Sequence, residues 1–255
     1  MRLHHGTVAS GPDVVLLHGV GLDRSMWDRC VPLLAERYRV TTVDLRGHGA
    51  SPAAAPGTSL ADLATDVAAV LDELGADRVH LVGFSLGALV AQQLAATAPE
   101  RVATLSLVSS VASRTPEERE AVLGRLEAAS QDVAITVDAA VDRWFDPAWQ
   151  VREPELVSAV RRTMSANEPS SYLACYRVFA TGDAEVGPLL GGIAAPTLVI
   201  TGSDDPGSTP DMSHRLAAAI PDARVEIVDG ARHLLPLERP DELTTALIKH
   251  FERTQ

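Results

Sequence analysis

The sequence predicts an α/β protein built on a mostly parallel, doubly wound sheet, and three observations carry that prediction. Continuous apolar runs recur as Val14-Val15-Leu16-Leu17, Val40 to Val43, Val79 to Val82, Ala103 to Val108 and Thr197 to Ile200, the pattern of strands buried on both faces. Stretches of helical period lie between them, so strands and helices alternate. The chain has 255 residues, 46% apolar and 22% charged, which is enough for a full hydrophobic core and unlike a disordered composition. In such a sheet ligands sit beyond the carboxyl ends of the strands, so function is sought in the loops just after them.

Taken in order, the amino end has room for one strand near Leu3 to Val8 before the sheet proper. Ser51 to Gly57 is a Pro/Ala-rich loop. Leu60, Leu63, Val67, Val70, Leu71 and Leu74 then line one helical face, and Ser59 with Asp62 three residues later forms a capping signature. Val79 to Pro99 is uncharged and long enough to span a bilayer, but His80, Gly83, Ser85, Gly87, Gln92 and Gln93 interrupt it. It reads as a strand, a sharp turn and a helix, Leu86 to Ala98. From Val111 to Gly187 no buried strand run occurs. Thr115-Pro116-Glu117-Glu118 is a helix start, and further helices are expected near Asp132 to Phe145, Glu155 to Ala166 and Ser170 to Ala180. The expected organisation is a core of residues 1–110 and 188–255 with a helical lid, 111–187, inserted in it.

The 22 Lys and Arg residues face 34 Asp and Glu, a net charge of -12 that disfavours nucleic acid and anionic lipid as partners. Lys249 is the only lysine, so the remaining basic residues are permanently charged, planar arginines. Cys30 and Cys175 lie in no metal-binding or disulfide pattern and are expected as half-buried, reduced thiols. No signal-peptide run follows Met1, so the expectation is a cytoplasmic protein, monomer or homodimer, without metal or organic cofactor.

Gly83-Phe84-Ser85-Leu86-Gly87 joins the apolar run Val79 to Val82 to a helix. This is the nucleophile-elbow pattern G-x-S-x-G in the strand-turn-helix setting its chemistry requires. A plainer alternative is a serine that caps the helix. A serine nucleophile needs a base, normally a histidine oriented by a carboxylate. Among eight histidines, His233 follows the strand-like Val225 to Val228 and is the expected base. His18 and His48 sit in glycine turns, where an imidazole more often fixes loop shape. Asp205 lies just beyond Thr197 to Ile200 and completes the chain order Ser85, Asp205, His233, with Asp204 as the competing acid. The N–H groups of Leu86, at a helix start, and of Val20, in His18-Gly19-Val20-Gly21, are the expected oxyanion donors. The loop could equally be a plain glycine turn.

With these motifs in order, the sequence resembles the α/β-hydrolase superfamily over nearly its whole length. Asp44-Leu45-Arg46-Gly47-His48-Gly49-Ala50-Ser51 and Glu238-Arg239-Pro240-Asp241 are typical of it. Within it the chain looks most like the 3-oxoadipate enol-lactonase group. Ser25-Met26-Trp27-Asp28, Arg143-Trp144-Phe145-Asp146-Pro147, Asn167-Glu168-Pro169-Ser170-Ser171-Tyr172 and Cys175 carry that likeness. The resemblance implies an α/β-hydrolase fold and hydrolysis of a small-molecule ester or lactone through an acyl-enzyme. General carboxylesterase, other lactonase, carbon–carbon bond hydrolase and non-catalytic ligand-binding readings share the same scaffold. A substrate carboxylate would need a cation, for which Arg143 beside Trp144 is the candidate; pairing of Arg143 with Asp142 or Asp146 is the alternative.

Overall fold

The computed structural model describes residues 1–254. Seven strands form one sheet: β1 (His5–Val8), β2 (Asp13–Leu17), β3 (Arg39–Val43), β4 (Val79–Phe84), β5 (Val102–Val108), β6 (Thr197–Gly202) and β7 (Ala223–Val228). Their order is β1-β3-β2-β4-β5-β6-β7. Only β1 runs antiparallel to its neighbour. The helices in chain order are α1 (Val31–Leu34), α2 (Leu60–Glu73), α3 (Leu86–Thr97), α4 (Pro116–Gln131), α5 (Val133–Trp144) and α6 (Pro147–Arg152). They continue as α7 (Pro154–Ser165), α8 (Pro169–Val186), α9 (Pro210–Ala218), α10 (Leu235–Glu238) and α11 (Pro240–Phe251).

The apolar runs are continuous because each strand faces two cores. On β2, Val14 and Leu16 join Trp27, Phe84 and Phe251 in one cluster. Val15 and Leu17 join the opposite cluster with the apolar faces of α2 and α3. The strand β1 lies at the sheet edge with exposed residues, which is why so short a segment completes the sheet. The periodic face of α2 is buried through Leu60, Leu63, Val67 and Leu71, each contributing about 1.5–3 kcal/mol. Its start is fixed by a reciprocal capping box between Ser59 and Asp62. The start of α4 repeats the device with Thr115 and Glu118.

Between β5 and β6 the chain is helical. The short α6 was not expected: Asp146 caps it by accepting from the N–H groups of Ala148 and Trp149, with Pro147 in the first turn. The final helix extends to Val186, well past Ala180, because its second half packs on the body of the protein. Gly182 there faces Leu60 of α2 and Leu89 of α3. One further expectation changes. Both cysteine side chains are wholly buried instead of half-buried; Cys30 sits against α10 and Cys175 against the Arg46 carbonyl. No helix among the described residues is long and apolar enough to cross a membrane, and none of their side chains groups into a metal-holding set.

Candidate active site

The turn from β4 into α3 places Ser85 at φ +52°, ψ −109°, a conformation that costs a residue with a Cβ about 1–3 kcal/mol. The surroundings hold it there. A Cβ on Gly83 would lie 2.3 Å from the Gly87 carbonyl oxygen, and one on Gly87 would lie 2.5 Å from that of Leu17, so strand and helix meet only because both are glycine. The Ser85 N–H donates to the Val108 carbonyl (3.0 Å) and the Gly87 N–H to that of His18 (3.0 Å). The Ser85 side chain makes no capping bond; instead it lines a cavity with ≈ 760 Å³ of empty space.

His233 lines the same cavity. Its Nδ1 lies 2.7 Å from Asp205 Oδ2. An ionised carboxylate only accepts, so this bond assigns the neutral ring's proton to Nδ1 and leaves the Nε2 lone pair basic. Asp205 is almost fully buried but well satisfied: Oδ1 accepts from the N–H groups of Gly207 (2.8 Å) and Ser208 (2.9 Å). Asp204, the competing acid, instead accepts from Ser203 Oγ. The histidine backbone is clamped on both sides. Its N–H donates to the Trp144 carbonyl (3.2 Å), and its carbonyl accepts from Ser109 Oγ (2.8 Å). The Trp144 ring stacks on the imidazole, with centroids 5.7 Å apart and planes 27° from parallel. Glu238 joins the two segments by accepting from the N–H groups of Arg232 and Asp146. Trp144, expected to contact substrate, therefore both lines the cavity and holds His233.

The loop after β2 is shaped by two buried rings. His18 Nδ1 bonds the Gly19 carbonyl (2.8 Å) while Nε2 accepts from the Leu45 N–H (2.9 Å). His48 Nε2 accepts from the Gly21 N–H (2.9 Å), and its Nδ1 bonds the Arg46 carbonyl (3.1 Å). Each ring must stay neutral to accept. The N–H groups of Val20 and Leu86 have no acceptor among the described residues, and Val20 lines the cavity beside Ser85.

These rings impose a pH dependence on stability. Burial pushes His48 down to about 3 and His80 and His250 down to about 4, and it lowers His18. An unfolded histidine titrates near 6.5, so below that pH the unfolded chain binds protons the native chain refuses. Stability is therefore full above about pH 6.5 and falls as pH drops toward 4, by up to about 1.4 kcal/mol per pH unit for each ring. Urea midpoints at pH 8, 6 and 5 measure this; equal midpoints at pH 8 and 5 would contradict it.

Arg143 lines the cavity from α5 and pairs with neither Asp142 nor Asp146; its guanidinium donates to the Ala139 carbonyl of its own helix (3.2 Å). Burial and the neighbouring Arg125 lower its pKa. Sequence patterns missed Arg125, Tyr176 and Phe179, which also line the cavity. They stand on long helices with no motif, and only the packing of α4, α5 and α8 brings them together.

The fold and this arrangement define an α/β hydrolase, and the family model for the alpha/beta hydrolase fold matches residues 12–240. The chain belongs to that family, and its relatives include hydrolases. It is similar to an (E)-2-((N-methylformamido)methylene)succinate hydrolase of Acinetobacter baylyi, 30% identical over 98% of this chain and 94% of that protein. It is also similar to a 3-oxoadipate enol-lactonase of the same organism, 29% identical over 95% and 91% of the two chains. Among solved structures, the enol-lactonase from Burkholderia xenovorans LB400 superposes with a TM-score of 0.90 at 29% identity, covering 98% of this chain and 96% of that one. The hydrolase class expected from the elbow motif holds.

Proposed function

We propose that the protein is a serine hydrolase that cleaves a carboxylic ester or lactone through an acyl-enzyme. The observation that carries this reading is Ser85, held in a strained turn, sharing one cavity with a His233 whose Nδ1 is bonded to buried Asp205. Ser85 Oγ attacks the carbonyl carbon while His233 Nε2 takes its proton, and Asp205 holds the ring and balances the imidazolium. The Val20 and Leu86 N–H groups receive the oxyanion, and the start of α3 adds a favourable dipole. His233 then gives its proton to the leaving oxygen. In the second half it activates water, which releases the acid. Residues 111–187 act as a lid over the core of 1–110 and 188–255, with Trp144 carrying the lid's contact to the base.

Arg143 binds a substrate carboxylate in this reading. The names of two relatives, built on succinate and oxoadipate, support a carboxylate-bearing substrate, and 3-oxoadipate enol-lactone is the first compound to try. In an enol-lactone the leaving enol stays tethered to the acyl group and becomes a ketone, so a single product forms.

The test is a turnover panel of 3-oxoadipate enol-lactone, homoserine lactones, short p-nitrophenyl esters and a vinylogous diketone. Hydrolysis of esters or lactones is expected, and its absence across the panel overturns the reading. On the same panel Arg143→Ala is expected to raise KM for carboxylate-bearing substrates about 10- to 100-fold, the loss of a hydrogen bond to a charged group worth about 1.5–3 kcal/mol. Neutral esters should change little; an equal effect on both sinks the role of Arg143.

A further inference from the structure

Among the described residues, Arg125 is the one charged residue of the cavity wall that the proposed mechanism does not use. It stands on α4 and Arg143 on α5, both partly buried and both lining the cavity that holds Ser85 and His233. The two lie close enough for the charge of Arg125 to act against that of Arg143. Several other arginines that are partly or fully buried have carboxylate partners, among them Arg46 with Asp66, Arg114 with Asp183 and Arg215 with Glu118; Arg232 instead donates to the carbonyls of Asp142 and Phe145, and Arg24 has no carboxylate partner among the described residues. Arg125 and Arg143 have no such partner among the described residues, although acidic side chains outnumber basic ones in residues 111–187. The polar groups beside them are the hydroxyls of Thr136, Tyr172 and Tyr176. Asp205 is committed to His233, Gly207 and Ser208.

Two guanidinium groups lining one largely apolar cavity leave two charges with no carboxylate bonded to either among the described residues, Asp205 acting on Arg143 only through its charge. One carboxylate would neutralise one of them. Each planar fork is suited to grip a separate carboxylate through paired N–H donors. We infer that the substrate carries two free carboxylates besides the ester or lactone that reacts, one held by Arg143 and the other by Arg125. This inference rests on the hydrolase reading at Ser85. It also ranks substrates: the enol-lactone of a dicarboxylic acid keeps one free carboxylate and fills half of the paired site, so a dianionic analogue should bind more tightly.

Calorimetric titration of the Ser85→Ala protein with three methyl esters tests this without turnover. The probes are methyl butyrate, monomethyl glutarate and a monomethyl ester of propane-1,2,3-tricarboxylate, which carry zero, one and two free carboxylates. The dianion is expected to bind at least about tenfold more tightly than the monoanion. Adding Arg125→Gln should remove that advantage and leave methyl butyrate unchanged, whereas Arg125→Lys, which keeps the charge, should retain part of it. A dianion that binds no better than the monoanion overturns the inference, and so does an Arg125→Gln change that weakens all three ligands equally. The first comparison needs no change at Arg125 and so stands even where that variant folds poorly. The hydrolase reading fails separately, through absence of p-nitrophenyl ester turnover by the chain with Ser85 intact.

Discussion

Ser85→Ala is expected to lower kcat by on the order of 10⁴- to 10⁶-fold and to abolish labelling by a fluorophosphonate probe, with the melting temperature nearly unchanged. The hydroxyl makes no capping bond, so its loss removes chemistry and almost no structure. Adding His233→Ala to Ser85→Ala should cost little more, because residues that act as a unit are strongly non-additive. A companion variant separates strain from chemistry. Ser85→Gly should be equally inactive yet more stable by about 1 kcal/mol, since glycine adopts φ +52° without a Cβ penalty. Undiminished labelling of Ser85→Ala would remove this serine as nucleophile.

The largest loss of stability is expected at Asp183. Its side chain is wholly buried on α8 and that of Arg114 nearly so, joined at 2.7 Å. The other Asp183 oxygen accepts from the Arg114 N–H and from Arg119. Arg114 also donates to the carbonyls of Phe179 and Ala180 and lies 4.9 Å from the centre of the Phe179 ring. Asp183→Ala strands that guanidinium without its counterion, a loss of about 3–5 kcal/mol and roughly 6–20 °C in Tm for a chain of this size. Replacing both partners by apolar residues, Arg114→Met with Asp183→Leu, should recover most of it, because the pair's attraction is offset by its own desolvation. Phe179 lines the cavity, so the single variant should also lose activity. A loss below about 1 kcal/mol by urea unfolding would show that water reaches the pair.

Much of this architecture is legible in local pattern. The strands β2 to β6 are continuous apolar runs because both faces are covered, and each expected run falls within the strand observed. The capping residues Ser59 and Thr115 mark helix starts to the residue. The juxtaposition of Asp205 with His233 follows from order along the chain, because successive loops at the carboxyl edge of a parallel sheet meet. The helical segment is less legible. Its helices hold one another by side-chain packing, so α6 and the true end of α8 escape periodicity. Arg125 carries no motif and reaches the cavity wall only because α4 packs beside α5.

The sequence by itself determined the hydrolase fold, the elbow at Ser85 and the order of its candidate partners, because strand burial, turn glycines and caps are encoded by residues next to one another. Only the tertiary structure bonded Asp205 rather than Asp204 to His233, stacked Trp144 on His233, and set Arg125 and Arg143 on one cavity wall with no ion-pair partner among the described residues. Those outcomes depend on contacts between residues tens of positions apart. Packing fixes them, and no local spacing records it.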